Sequence, residues 1–454
     1  MGHQERLRDG PVEVATTSVI LELAAHHTRC QRPNDEKGVM SFATGLLCRE
    51  CGATYPSEAR YSCDFCFGPL EVDYDLDAAR SVLTRESIAS GPASIWRYAA
   101  LLPDPGVEPV DLGVGWTPLR RSTRLADVLG VRELWLKDDT RNPTGSFKDR
   151  VVSVALSSAR RLGFTTAACA STGNLATSVA AHAASIGWPS VTIIPSDLEK
   201  SKIAMAAIFG GTVLGVEGNY DDVNRLCVEL VSEHGDWALV NVNLRPYYAE
   251  GSKTLSFEIC EQLGWRTPDQ VVVPLASGSQ FTKVAKGFKQ FIELGLVDGP
   301  APVLFGAQAT GCSPIATAFA SGADVVTPQR PNTIARSLAI GNPADGPYVL
   351  DELRAHGGDC GSVPDSEILE CIGLLAETEG IFAETAGGVT IASLRQMIER
   401  GTIDRDKSIV AIISGHGLKT LDAIVDTATV SSTISPSLEA AEEALRFHQL
   451  VAAS

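Results

Sequence analysis

No stretch of the chain approaches the ~18 consecutive apolar residues that a helix needs to cross a bilayer, and Met1-Gly2-His3-Gln4-Glu5-Arg6 lacks a secretory signal pattern. A cytoplasmic location is the expectation. Cationic side chains are the minority: 38 lysines and arginines against 55 aspartates and glutamates leave a formal net charge of −17. That balance argues against non-specific binding to nucleic acid or to an anionic membrane, and an anionic substrate would need a locally basic site. Internal repeats and low-complexity segments are also missing. What remains is the composition of an ordinary globular enzyme, 44% hydrophobic and 20% charged, on 454 residues that suffice for two or three domains with buried cores.

Six of the eleven cysteines (Cys169, Cys227, Cys260, Cys312, Cys360 and Cys371) stand singly in apolar surroundings, as reduced buried thiols do. Four others cluster. Cys48-x-x-Cys51 and Cys63-x-x-Cys66, eleven residues apart, have the spacing of a tetrathiolate zinc ribbon, each pair presenting two sulfurs from a turn. Free thiols and a pair of disulfides are the other readings. Four thiolate ligands would leave no open position on the metal, so the predicted role is structural.

One lysine sits among turn formers at the start of a helical pattern. Pro143, Thr144 and Gly145 break the extended run Leu134-Trp135-Leu136, and Ser146 is placed to cap a helix continuing through Val151 to Leu156. Lys148 then falls in the first turn, where the helix dipole disfavours an ammonium and leaves the amine available to form a Schiff base. Taken alone, an exposed lysine opening an ordinary helix fits as well. Lys137, Lys253, Lys283 and Lys419 are the alternatives.

Around this point strand and helix patterns alternate as in open α/β sheets. Strands are expected at 70–74, 133–137, 166–170, 191–195, 212–216, 270–274, 303–307 and 408–413, and helices at 171–186 and 281–292. The pattern is that of two sheets, each flanked by helices. Residues 1–46 read as an N-terminal arm, flexible in part, with 31–38 as linker. Two strands run into small-residue turns that open helices, Ser171-Thr172-Gly173-Asn174 and Ala276-Ser277-Gly278-Ser279-Gln280, and such turns offer backbone N–H groups to an anion.

Asn142-Pro143-Thr144-Gly145-Ser146-Phe147-Lys148-Asp149 resembles the lysine motif of the tryptophan-synthase-β family of pyridoxal-phosphate enzymes (fold type II), in particular its threonine-synthase branch. Later motifs follow in the family's order over roughly residues 48–425. The resemblance implies two open twisted sheets: a large cofactor-binding domain from 76–140 and 245–454, a small α/β domain from 141–244, and a zinc-ribbon-like segment at 47–75. It also implies a homodimer. Lys148 would carry pyridoxal 5′-phosphate. Ser171, Thr172 and Gly173 would bind the substrate carboxylate, and Asn174 the cofactor's 3′-oxygen. Ala276, Ser277, Gly278, Ser279 and Gln280 would cradle its phosphate; the family's loop is richer in glycine and asparagine, and here Ser277, Ser279 and Gln280 add side-chain donors. In Ser414-Gly415-His416-Gly417-Leu418-Lys419, Ser414 would face the pyridine nitrogen, a milder electron sink than a carboxylate partner would make. His416 is open to a catalytic or a packing reading.

Arg245, within Asn241–Thr254, is the candidate for gripping a substrate phosphate, since a guanidinium binds it bidentately. Segments 336–343 and 384–388 are expected to line the site without an assigned role. The implied reaction is a carbon–oxygen lyase step converting O-phospho-L-homoserine and water to L-threonine and phosphate, with a small phosphorylated amino acid as substrate and neither nucleic acid nor membrane as partner. The alternatives are β-replacement, as in cysteate synthase with O-phosphoserine and sulfite, and deamination of threonine or serine. A rival from another class is a non-catalytic binding protein that kept the fold. Acidic neighbours of the ribbon, Asp64, Glu71, Asp73, Asp75 and Asp77, count against contact with a nucleic-acid backbone.

Overall fold

The computed structural model describes residues 41–106, 108–171, 173–196, 200–218, 220–425 and 430–452. Most of the arm read from residues 1–46, including its linker, lies outside them.

Three sheets organise the described residues. β1 (Ala43–Cys48), β2 (Thr54–Tyr55) and β3 (Leu70–Tyr74) form an antiparallel sheet in the order β2-β1-β3. β4 (Leu119–Arg121), β5 (Glu133–Asp138), β10 (Gln270–Pro274), β11 (Val303–Ala309), β12 (Cys360–Val363) and β13 (Ser408–Ile413) form a six-stranded sheet in the order β12-β11-β10-β13-β5-β4. It is parallel except for the edge strand β4. β6 (Thr166–Ala170), β7 (Ser190–Pro195), β8 (Thr212–Val216) and β9 (Trp237–Leu239) make an all-parallel sheet in the order β8-β7-β6-β9.

Burial explains why the parallel strands read as continuous apolar runs. β13 is covered on both faces: Val410 and Ile412 enter one core, while Ile409, Ala411 and Ile413 enter the other. β3 alternates buried and half-buried residues, because one of its faces meets solvent. Every strand expected from the sequence is present. The unexpected ones, β1, β2, β4, β9 and β12, are mostly two to four residues long, too short to show a period. Among the described residues, no helix is long and apolar enough to cross a membrane.

A third core joins the cysteine knuckle to the helix that carries the lysine. Leu46, Cys48, Cys63 and Val72 pack in one cluster with Val151, Val152, Ala155 and Leu156 of the helix Lys148–Arg161.

The start of that helix departs from the sequence expectation. The capping position is taken by Phe147, which has no side-chain cap, and the buried Ser146 hydroxyl has no partner among the described residues. The reason is that Ser146 is held by the backbone: it bridges Gly415, and the Phe147 N–H donates to the Ser414 carbonyl at 2.8 Å. Asp149 supplies the local acceptor instead, taking the Thr144 N–H and hydroxyl, both at 2.7 Å.

Two residues past the lysine, the wholly buried Arg150 ties the helix to its surroundings. Its guanidinium donates to both Asp139 carboxylate oxygens at 2.8 Å, to Glu258 Oε2 at 2.9 Å and to Thr254 Oγ1 at 3.0 Å. Glu258 also receives Lys137 Nζ at 2.6 Å. Burial pushes the Glu258 carboxyl up, yet Arg150 and Lys137 outweigh it and hold the group at about 2. Removing one member of such a set strands the others without water. Arg150→Met is therefore expected to cost roughly 3–5 kcal/mol, measured by urea unfolding. A loss below about 1 kcal/mol would show that Asp139 and Glu258 find other partners.

Candidate active site

The carboxyl ends of parallel strands from both sheets converge on one cavity of about 730 Å³. Ser171, Gly173 and Asn174 follow β6, and Asn241 follows β9. Pro274 ends β10, the turn 276–280 follows it, and Ser414 follows β13; all of these line the cavity with Lys148, Arg245, Tyr248, Arg336 and Glu384. Every sequence-predicted cofactor and substrate residue therefore reaches the same space except Thr172, which lies outside the described residues.

Backbone pairing sets the lysine's position. The turn at 142–145 closes through Gly145 N–H to Asn142 O at 2.8 Å, and the His416 N–H donates to Gly145 O at 2.9 Å. The Glu384 N–H donates to Gly415 O at 2.8 Å, so the lysine turn, the end of β13 and residues 382–384 form one small ladder. Glycine is required at 415 because a Cβ there would run into the Glu384 carboxylate. Lys148 Nζ emerges from this ladder and donates to Tyr248 Oη at 3.0 Å.

The alternatives to Lys148 are engaged elsewhere. Lys137 pairs with Glu258 and Lys253 with Glu250, each at 2.6 Å, and Lys283 lies 2.6 Å from Glu71 and 2.9 Å from Glu250. All three are buried and none lines the cavity. Lys419 does line it, its amine pushed down by burial against the opposing pull of Glu384 and Asp149. His416 takes the packing role: Nδ1 accepts the Leu418 N–H at 3.1 Å, and the ring meets Phe382 edge-on at 5.7 Å.

The small-residue turn after β10 opens the helix Ser279–Glu293. Gly278 stands at its cap with φ +93, and a Cβ there would come within 2.8 Å of Val349 and 3.1 Å of Asp345, so no larger residue fits. The buried Gln280 Nε2 has no partner among the described residues. An unspent amide donor beside a helix N-terminus suits a phosphate. Arg245, half-exposed, donates to Asp345 Oδ2 at 2.8 Å.

The sequence assigned no role to Glu384, yet it stands at the centre of the site. Its buried carboxylate accepts Asn174 Nδ2 at 2.8 Å and the Ser414 hydroxyl at 3.2 Å. It thus joins the two residues expected to touch opposite edges of a cofactor ring. Tyr248 was also missed. A glutamate at a helix N-cap and a tyrosine in a helix carry no local signature of a partner far away in sequence.

The chain also shows its relatives. The model of the pyridoxal-phosphate dependent enzyme family matches residues 110–415. Threonine synthase of Methanosarcina acetivorans is 39% identical over 403 residues, which cover 88% of this chain and 98% of that protein. Threonine synthase of Methanocaldococcus jannaschii is 40% identical over 382 residues, covering 83% of this chain and 93% of that one. The chain belongs to the threonine synthase family of pyridoxal-phosphate enzymes. Among solved structures it resembles the processed form of threonine deaminase isoform 2 from Solanum lycopersicum, with a TM-score of 0.58 and 23% identity over 69% of this chain and 83% of that one. That likeness shows the fold, type II, and nothing finer.

A second cluster in this threonine synthase family member comprises Cys48, Cys51, Cys63 and Cys66, whose sulfurs all lie within 4.8 Å of one another. Cys48 and Cys66 are 3.4 Å apart, and Cys51 and Cys63 are 3.6 Å apart. A tetrahedron with ~2.3 Å metal–sulfur bonds has edges of about 3.8 Å, so the residues present fit a closed four-thiolate site. The six singly placed cysteines are buried free thiols, as expected.

Glu384 makes the site pH-sensitive. Burial raises its carboxyl above the usual range, against the opposing pull of Asn174, Lys419, Ser414 and Lys148. A raised carboxyl penalises folding above its folded-state pKa, and the penalty is relieved as pH falls through that value. Without cofactor, Glu384→Gln should therefore melt above the parent at pH 8, with the gap closing towards pH 4. A gap independent of pH would remove Glu384 from this account.

Proposed function

We propose that the chain converts O-phospho-L-homoserine and water to L-threonine and phosphate, as a carbon–oxygen lyase using pyridoxal 5′-phosphate. The observation that carries the reading is one cavity holding a lysine that pairs with a tyrosine hydroxyl and with no carboxylate among the described residues, beside two distinct features suited to an anion. One is the turn 276–280 at a helix start; the other is the arginine side, with Arg245 and Arg336. The reaction needs one place for the cofactor's phosphate and another for the substrate's. Identity of 39% and 40% to proteins named threonine synthase supports it.

In this reading Lys148 would hold the cofactor's aldehyde, the turn 276–280 its phosphate, Asn174 its 3′-oxygen and Ser414 its ring nitrogen. When bound, the cofactor supplies an electron sink that acidifies the carbon–hydrogen bonds next to the substrate's amine. Ser171 and Gly173, with Thr172 outside the described residues, would take the substrate carboxylate. Arg245 would take the phosphate that leaves. With substrate in place, the Lys148 amine would be the base for the α-proton and then for a β-proton. Its hydrogen bond to Tyr248 Oη fixes the amine for both transfers. Glu384, between Asn174 and Ser414, keeps these two side chains in their ring-binding orientation. The Cγ–oxygen bond breaks as phosphate leaves, a proton is returned to Cγ, the hydroxyl of water adds at Cβ, and the α-proton is restored.

The proposal extends to the knuckle as a structural zinc site, supported by the converging sulfurs. It also takes in the domain division given above, a cytoplasmic location and a homodimer, for which family membership is the support. Three measurements test it. Phosphate release should be faster from O-phosphohomoserine than from O-phosphoserine with sulfite; the reverse order would make the chain a β-replacement enzyme. Lys148→Ala should lose turnover and the cofactor's visible-to-near-ultraviolet band while keeping the fold, and retained activity would overturn its assignment. Metal analysis should find about one zinc per chain, and zinc-free protein with four freely alkylated thiols would refute the metal.

A further inference from the structure

Arg49 lies between the ligand candidate Cys48 and Glu50, on the knuckle turn closed by the Gly52 N–H to Cys48 O at 3.1 Å. Its guanidinium does not face the cysteines. Its Cζ lies over the Tyr348 ring, 3.6 Å from the centroid, and Nη1 donates to Asp345 Oδ1 at 3.2 Å. The neighbouring Glu50 carboxylate accepts the Tyr348 hydroxyl, so two consecutive knuckle residues grip one turn of the helix that begins at Gly346.

Asp345 is shared. Its second oxygen, Oδ2, accepts Arg245 Nη2 at 2.8 Å, and its backbone N–H donates to the Ser277 carbonyl at 2.9 Å. Arg49 and Asp345 side chains are only 17% and 7% exposed, whereas Arg245 keeps 36%. One shielded carboxylate thus divides its two oxygens between a guanidinium of the knuckle and a guanidinium lining the active-site cavity. A carboxylate can take both prongs of an arginine fork when nothing else claims its second oxygen. Here Arg49 claims it, so Arg245 is anchored through a single nitrogen and keeps its remaining donors. The three groups together carry a net positive charge.

We infer that Arg49 is a positioning residue for the substrate's phosphate. By holding Asp345 Oδ1, it prevents Asp345 from saturating Arg245 and leaves the Arg245 fork able to bind a phosphate dianion in the cavity. The knuckle then acts on substrate binding through one side chain, beyond any metal it holds. The inference rests on the proposed role of Arg245.

The test uses the cofactor-loaded enzyme. Arg49→Ala should raise KM for O-phosphohomoserine, and the calorimetric Kd for inorganic phosphate, by roughly tenfold, with kcat within about twofold and the cofactor spectrum unchanged. Arg49→Lys should recover part of the loss, since it keeps the charge without the fork. The discriminating variant is the double change Arg49→Ala with Asp345→Asn. Removing the competing charge should bring phosphate affinity back towards the parent value, a coupling that a merely structural role would not produce. Unchanged KM and Kd in folded Arg49→Ala, or no recovery in the double variant, overturns the inference. If Arg49→Ala does not fold, Arg49→Gln and its double with Asp345→Asn decide by the same two readings. Arg245→Ala separates the two levels of argument: normal KM and phosphate Kd there sink the Arg245 role itself, while a loss there without one at Arg49 sinks only the role of Arg49.

Discussion

The guanidinium of Arg150, two residues beyond Lys148 and wholly out of water, is met by the carboxylates of Asp139 and Glu258 and by the Thr254 hydroxyl. Asp139 follows β5 and Glu258 belongs to the helix Thr254–Gln262, so this contact fixes the lysine's helix to the large sheet and to a helix packed beside it. Desolvating three charges is expensive, and the arrangement holds only because each is answered by hydrogen bonds as well as by opposite charge. Such a network tolerates little displacement. Lys148 opens the helix that this network anchors.

The same economy of charge governs the cavity. The chain as a whole is strongly acidic, but three carboxylates at or behind the cavity wall are committed: Asp345 to two arginines, Asp149 to Thr144 and Ser178, and Glu384 to Asn174 and Ser414. What lines the open volume is two lysines, two arginines, amide and hydroxyl donors and a helix start, against the carboxylates of Glu384 and the exposed Asp422. A locally basic site therefore exists inside a protein of net charge −17, as an anionic substrate requires.

Much of this was legible in the sequence, for identifiable reasons. Buried parallel strands such as β10 and β13 declare themselves as unbroken apolar runs rich in β-branched residues, and a small-residue turn between strand and helix marks where a strand's carboxyl end meets the cavity. The lysine turn was read correctly apart from its cap, where tertiary pairing of Ser146 with Gly415 overrode the local preference of serine. Glu384 and Asp345 were not readable. Their meaning lies in partners 210 and 100 residues away, and one sequence contains no trace of such pairings.

The small ladder that joins residues 145–147, 414–417 and 382–384 places the lysine, the serine and the glutamate by chain length as much as by side-chain type. Inserting or deleting a single residue in any of these three stretches would slide a reacting group by about 3.3 Å, the rise of one extended residue, and turn its side chain to the other face. Away from Gly145, Gly415 and Gly417, where a positive φ or a close neighbour disfavours a side chain, substitutions there leave the spacing intact, whereas a change of length does not. The site should thus accept chemical variation far more readily than insertion, and descendants of this chain could change substrate while keeping these spacings intact.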